Sequence, residues 1–336
     1  MFMSKKIFTV GTGSWGTALA SVLADNQNEV LIYGRNSKQV DDINLNHKNS
    51  CFFSDVLLPE KLKATVDLSK CKDYDIILLA VPSSVSVDLA QQIDTLIDSP
   101  KIFINAAKGF HPVTFDRLSE MIIQTVSKEH LHSYFSISGP SFASEVVEKQ
   151  ITTVNIVGKD QETAKELQRL FSNDYFRVYR NDDLIGCEYG SGLKNVIAIA
   201  SGIVAGLGLK DNAKASLITR GLSEMTRYGL AHGAKQSTFM GLCGMGDLIL
   251  TCSSFTSRNY QAGYLIGQHD SSRTFWQENT KTVEGVDACK IIYQKAKNEN
   301  IEMPITSAVY AVLYEDKKPS EIINQLMHRD LKHEIY

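Results

Sequence analysis

Seven short apolar runs punctuate the first half of the chain: Ile7–Val10, Glu29–Tyr33, Asp75–Ala80, Ile102–Ile104, Tyr134–Ile137, Thr152–Val157 and Phe176–Val178. Runs of this length suit strands, and the continuously apolar ones suit strands covered on both faces. The segments between them read as helices: from Thr17, over Val85 to Ile97, over Phe115 to Lys128, and from Gln161. Strand and helix in alternation predict an α/β domain with a mostly parallel, doubly wound sheet. In such sheets ligands bind at the carboxyl ends of the strands.

Beyond about Asp183 the pattern changes to helices alone. Lys214 to Leu230, Val286 to Asn298, Thr306 to Tyr314 and Ser320 to Met327 all read as helical. The chain therefore divides, on its sequence, into residues 1–182 and an all-α part over residues 183–336. Near the start of that second part Gly190, Lys194, Ala198, Gly202 and Gly206 recur every four residues and form one narrow helical ridge. Small residues on it admit another helix at close range, within the chain or across a dimer. Lys194 is the single long, charged member of the ridge.

Directly behind the first apolar run stands Gly11-Thr12-Gly13-Ser14-Trp15-Gly16, and Thr17-Ala18-Leu19-Ala20 follows. A strand, Gly-x-Gly-x-x-Gly and a helix, in that order, make the phosphate-binding turn of a dinucleotide-binding Rossmann domain. Gly11 permits the tight turn, Gly13 lets backbone approach a pyrophosphate, and Gly16 lets helix pack on strand. The helix would aim its free N–H groups and positive dipole end at the phosphates. After the second apolar run comes Gly34-Arg35-Asn36, with no acidic residue until Asp41. A carboxylate here would favour the ribose 2′-hydroxyl of NAD. The Arg35 guanidinium suits a 2′-phosphate, so NADP(H) is expected to bind at least as well as NAD(H).

Composition excludes several classes. A chain of 336 residues with 43% hydrophobic and 22% charged residues is ordinary globular material, long enough for two domains. The net charge of −3 offers no general attraction to nucleic acid or anionic membrane. An N-terminal export signal is not expected, because cleavage after Ala20 would destroy the glycine turn. The apolar stretch from Val196 to Leu209 falls short of a membrane span. Cysteines 51, 71, 187, 243, 252 and 289 contain no C-x-x-C pair, which suits free thiols in a cytoplasmic protein. The eight histidines show no ligand spacing, so no metal is expected.

Four clusters concentrate polar groups: Lys108-Gly109; Gly139-Pro140-Ser141-Phe142-Ala143; Lys194-Asn195; and Gly244 to Leu248 continuing to Ser257-Arg258-Asn259. Reduction of a ketone by hydride transfer needs a proton donor for the developing alkoxide and groups that neutralise its charge. A lysine does both if its pKa is lowered. An anionic substrate also needs a clamp of cations and hydroxyl or N–H donors. Lys108, Lys194, Arg258, Asn259 and Ser257 supply those types, and Asp247 can orient a substrate hydroxyl or a lysine. A nucleotide-sugar oxidising enzyme would want a catalytic cysteine instead. Cys252 stands inside a motif but is read as a packing residue.

Together these motifs resemble bacterial NAD(P)-dependent glycerol-3-phosphate dehydrogenases. The resemblance rests on residues 11–20, Ala80-Val81-Pro82-Ser83, Lys108-Gly109, residues 138–143, Leu193-Lys194-Asn195, Gly246-Asp247-Leu248, Thr251-Cys252, Ser257-Arg258-Asn259 and Val283-Glu284-Gly285. It implies a Rossmann domain followed by a helical one, in a homodimer. It implies that Ser14, Trp15, Arg35, Ala143 and Glu284 contact the cofactor, with Lys108 and Arg258 touching both cofactor and substrate. Gly139, Ser141, Asp247, Ser257 and Asn259 would hold the substrate, and Lys194 would be the acid/base. The implied reaction interconverts dihydroxyacetone phosphate and sn-glycerol 3-phosphate, the backbone for phospholipid synthesis. Many relatives carry Trp where this chain has Tyr33, a position where tyrosine can still stack or pack.

Overall fold

A computed structural model describes residues 5–111, 114, 116–280, 282–331 and 333–334. Residue 115, where the sequence pattern starts a helix, lies outside them. The described chain forms two compact units, one ending at Glu188 and the other starting at Tyr189.

In the first unit strands and helices alternate. The strands are β1 (Lys6–Val10), β2 (Glu29–Tyr33), β3 (Lys63–Thr65), β4 (Ile76–Leu79), β5 (Lys101–Asn105), β6 (Leu131–Ser138), β7 (Thr152–Val157) and β8 (Phe176–Asn181). Between them run α1 (Ser14–Asp25), α2 (Ser37–Asn46), α3 (Ser83–Asp94), α4 (Leu118–Thr125), α5 (Ala143–Val147) and α6 (Gln161–Phe171). Among the described residues these strands make one sheet in the order β3-β2-β1-β4-β5-β6-β7-β8. Neighbours are parallel except β6 and β7, which pair antiparallel. The sheet is thus mostly parallel, and its strand order reverses direction between β1 and β4. Ile76 to Leu79 and Ile102 to Ile104 are buried throughout, which explains their unbroken apolar sequence.

Two helix starts in this unit show their chemistry directly. The Asp160 carboxylate accepts the Glu162 and Thr163 amides, both at 3.2 Å, and caps α6. The Asn36 side chain accepts the Lys38 amide at 3.0 Å and caps α2. Neither α2 nor β3 stands out in the sequence, because α2 buries only Val40 and Ile43 and β3 only Ala64.

The helix α7 (Leu184–Gly206) begins before the division between the units and runs past it. Glu188, on the first turns of α7, is tied to the start of α4 in the first unit. Its carboxylate accepts the Ser119 amide at 2.8 Å and the Ser119 hydroxyl at 2.5 Å at the start of α4. Beyond α7 come α8 (Asp211–Ala231), α9 (Gln236–Phe239), a five-residue π-helical turn (Leu242–Gly246), α10 (Asp247–Ser253) and α11 (Arg258–His269). They are followed by α12 (Arg273–Glu278), α13 (Glu284–Asn298), α14 (Pro304–Tyr314) and α15 (Pro319–Met327). No single helix among the described residues is long and apolar enough to cross a membrane.

The small-residue ridge of α7 packs within the chain. A Cβ added at Gly202 would sit 2.1 Å from the Tyr260 carbonyl oxygen, and one at Gly263 would sit 2.0 Å from that of Ile199. Backbone therefore meets backbone where α7 crosses α11, which no residue with a side chain would permit.

Candidate active site

The glycine turn is built as its spacing requires. Gly11 has φ +118°, and a Cβ there would meet the Ala80 carbonyl oxygen at 2.5 Å. At Gly16 a Cβ would lie 2.1 Å from the Gly11 carbonyl oxygen, so this glycine lets α1 start directly on the turn. Beside Gly13 there is open space. Gly13 also occupies the cap of α1, where it has no side chain to offer the first amides. The first N–H groups of Ser14, Trp15 and Gly16, with the dipole behind them, thus face an opening that a Cβ at Gly13 would narrow. That cradle fits a pyrophosphate. Trp15 packs against the sheet core, and its buried indole N–H finds no hydrogen-bond partner among the described residues.

Arg35 lies exposed just past the carboxyl end of β2, beyond the buried Gly34. Tyr33 stacks on Phe8 with ring centroids 6.3 Å apart, so it packs as the sequence allows. Three further residues lie at neighbouring strand ends. Lys108 follows β5, and Gly139 and Ser141 follow β6. The Lys108 ammonium and the Ser141 hydroxyl both donate to the Gly139 carbonyl, at 3.5 and 3.2 Å. Ala143 opens α5 and packs, partly buried, against the same core as Trp15. The turn, Arg35, Lys108, Gly139, Ser141 and Ala143 all follow the carboxyl ends of β1, β2, β5 and β6.

In the second unit Lys194 is almost wholly buried, its side chain 4% exposed. Its ammonium forms an ion pair with the Asp247 carboxylate, 1% exposed, and donates to the Thr251 hydroxyl at 3.1 Å. That hydroxyl donates to the Asp247 backbone carbonyl at 2.6 Å, an i to i−4 bond inside α10. Asp247 opens α10 immediately after the π-helical turn, whose wide winding carries the chain past Gly190 of α7. A Cβ at Gly190 would lie 2.6 Å from the Cys243 carbonyl oxygen.

Ser257, Arg258 and Asn259 form the cap and first turn of α11. The Ser257 hydroxyl oxygen accepts the Tyr260 amide at 3.2 Å. Asn259 is turned inward: its Oδ1 accepts the Gly285 amide at 2.8 Å and its Nδ2 donates to Asn195 Oδ1 at 3.0 Å. The Asn195 amide donates in turn to Glu284 at 3.3 Å, and Arg258 lies 3.7 Å from the same carboxylate. Sequence reasoning groups Asn195 with Lys194 but does not reveal that it ties the starts of α11 and α13 together. Arg258 is half-exposed, unlike the buried Ser257 and Asn259 on either side of it. It borders a cavity of about 300 Å³ whose wall includes Gln261, Phe275 and Val283.

Cys252 is fully buried, and burial pushes its thiol up to about 12. Such a buried, protonated thiol is suited to packing and not to nucleophilic attack. Among the described residues no three His, Cys, Asp or Glu side chains converge as a metal site.

Comparison with known proteins agrees over nearly the whole chain. The family models for the NAD-dependent glycerol-3-phosphate dehydrogenase N-terminus and C-terminus match residues 6–164 and 183–324. A Staphylococcus epidermidis glycerol-3-phosphate dehydrogenase (NAD(P)+) is 49% identical over 331 residues, 98% of this chain and 100% of the relative. The enzyme of the same name from Staphylococcus aureus is 48% identical over 330 residues, 98% of this chain and 99% of the relative. The crystal structure of glycerol-3-phosphate dehydrogenase from Coxiella burnetii superposes with a TM-score of 0.89 at 35% identity, covering 97% of this chain and 99% of that one. The chain belongs to the NAD-dependent glycerol-3-phosphate dehydrogenase family.

Proposed function

We propose that Lys194 is the acid/base of the reaction this family carries out, the NAD(P)H-dependent interconversion of dihydroxyacetone phosphate and sn-glycerol 3-phosphate. The observation that carries the assignment is the buried trio of Lys194, Asp247 and Thr251. In the reducing direction the nicotinamide, when bound, supplies a hydride to the carbonyl carbon. Lys194 gives a proton from Nζ to the carbonyl oxygen as its charge develops, and takes that proton back in the reverse direction. Asp247 and Thr251 hold the ammonium in one orientation, so little reorganisation is needed at the moment of transfer.

In this reading residues 1–182 bind the dinucleotide and residues 183–336 act on the substrate. Gly11, Gly13, Ser14, Trp15 and Gly16 cradle the pyrophosphate, Arg35 takes a 2′-phosphate, and Ala143 and Glu284 complete the cofactor contacts. Lys108 and Arg258 touch cofactor and substrate. Ser257, Arg258 and Asn259 offer the substrate phosphate a guanidinium and the amino end of α11, with its dipole. The inward engagement of Asn259 leaves its backbone and Arg258 as the chief donors there. Gly139, Ser141 and Asp247 contact the rest of the substrate. The reading extends to a cytoplasmic homodimer whose product feeds glycerophospholipid synthesis.

The decisive experiment mixes purified protein with dihydroxyacetone phosphate and follows the absorbance of NADPH and, separately, NADH. Oxidation of either with formation of sn-glycerol 3-phosphate is expected. Bound cofactor without oxidation would direct the search to other small ketones.

A further inference from the structure

We propose that Asn49 is a positioning residue for the pyrophosphate of the bound dinucleotide, acting through the glycine turn. The inference rests on the assignment of that turn to the cofactor. Asn49 lies in the segment after α2, is fully buried, and is far in sequence from any glycine of the motif. Its side-chain amide donates to the Thr12 carbonyl at 2.9 Å and to the Thr17 hydroxyl at 2.9 Å. It therefore grips the turn on one side and the first turns of α1 on the other.

The consequence follows from peptide planarity. The Thr12 carbonyl shares its plane with the Gly13 N–H, which leaves on the opposite side. Fixing the carbonyl fixes the direction of that N–H, at the residue beside which the turn is open. Asn49 can perform this because its own backbone is locked. Its carbonyl accepts the Phe52 and Phe53 amides at 3.0 and 2.9 Å. The next residue is held too, since the Ser50 amide donates to Asp42 at 2.8 Å, and that bond draws the Asp42 carboxyl below its ordinary pKa.

The test compares wild type with Asn49→Asp and Asn49→Ala. The aspartate keeps the shape but sets a carboxylate oxygen against the Thr12 carbonyl. Both variants should raise the NADPH Kd and KM by about tenfold or more, about 1.4 kcal/mol. Both kcat at saturating NADPH and KM for dihydroxyacetone phosphate should stay within about twofold. Inhibition by ADP-ribose, which carries the pyrophosphate, should weaken in parallel, while inhibition by adenosine should not. Equal weakening of both inhibitors, or a fall in kcat with cofactor KM unchanged, would overturn the proposal by making Asn49 merely structural.

Gly13→Ala separates this from the underlying assignment. Its backbone angles suit alanine and space is open there, so the variant should fold and bind cofactor poorly. Unchanged binding in Gly13→Ala would refute the cradle itself. Weak binding in Gly13→Ala with normal binding in both Asn49 variants would refute only the role of Asn49. If neither Asn49 variant folds, amide exchange in the wild type decides. NADPH should slow residues 11–17 and 47–53 together, and slowing at the turn alone would overturn the proposal.

Discussion

The Lys194 ammonium donates to the Thr251 hydroxyl at 3.1 Å, on the same α10 turn whose Asp247 carboxylate pairs with that ammonium. One helix thus supplies these two partners to the buried lysine. Lys194→Ala should lower kcat by about 10²-fold or more, with NADPH still bound. It should also cost stability, by about 3–5 kcal/mol, because the buried Asp247 carboxylate loses its cation. Adding Asp247→Asn should recover much of that stability and none of the activity. Steady-state rates and urea midpoints on the single and double variants check both parts, and an unchanged kcat would remove Lys194 from proton transfer.

Arg258 makes the opposite case. Its 3.7 Å pair with Glu284 is half-exposed and worth little to the fold. Arg258→Ala should leave the melting temperature nearly unchanged and raise KM for dihydroxyacetone phosphate, by roughly 2–4 kcal/mol in binding if the guanidinium meets a desolvated phosphate. An unaltered KM would locate that phosphate elsewhere.

Arg35 is exposed, so exchanging it probes cofactor choice without disturbing a core. Arg35→Asp should shift the NADPH to NADH ratio of kcat/KM toward NADH, because a carboxylate repels the 2′-phosphate and accepts the 2′-hydroxyl. A constant ratio would dismiss Arg35 from that choice.

How far the sequence carries the reading differs from element to element. Strands β1, β4 and β5 were legible because burial on both faces leaves nearly unbroken apolar runs, and the glycine turn because steric need admits only glycine at Gly11 and Gly16. The three-residue β3 and the thinly buried α2 leave no such pattern. Lys194 could be singled out as the charged member of a small-residue ridge, yet its pairing with Asp247 depends on the π-helical turn, which has no sequence signature. Asn49 is less visible still: a lone polar residue among polar neighbours, meaningful only through bonds to residues 37 and 32 positions away.

The face of α11 that receives this ridge offers a stability test in which two effects compete. Gly263→Ala gains about 1 kcal/mol of helix propensity. It also sets a methyl group 2.0 Å from the Ile199 carbonyl oxygen, a backbone atom that cannot rotate aside. Overpacking of this kind costs about 3 kcal/mol, so the urea midpoint should fall. A midpoint that rises would mean that α7 and α11 yield more readily than backbone contact allows.

Acid sensitivity should be visible at the cap of α6. The Asp160 carboxyl is held below its ordinary pKa, chiefly by the Thr163 hydroxyl at 2.5 Å and then by the Thr163 amide. A carboxyl depressed in the folded state contributes stability that is complete above its unfolded pKa of about 3.9 and disappears as pH falls through the folded value. Asp160→Ala should therefore cost about 1 kcal/mol at neutral pH. The gap to wild type should close below about pH 4 in urea titrations. A gap that persists in acid would make the cap a matter of shape and not charge.

The crossing of α7 on α11 has a bearing on selectivity. Lys194 rides on one of these helices and Arg258 opens the other, and where they touch no side chain lies between them to act as a spacer. On the proposed assignment a proton comes from the first and the phosphate sits at the second, and contact between main chains sets how far apart the two helices carry those groups. On that assignment the spacing of these two helices bears on how long a substrate can be and still reach both groups.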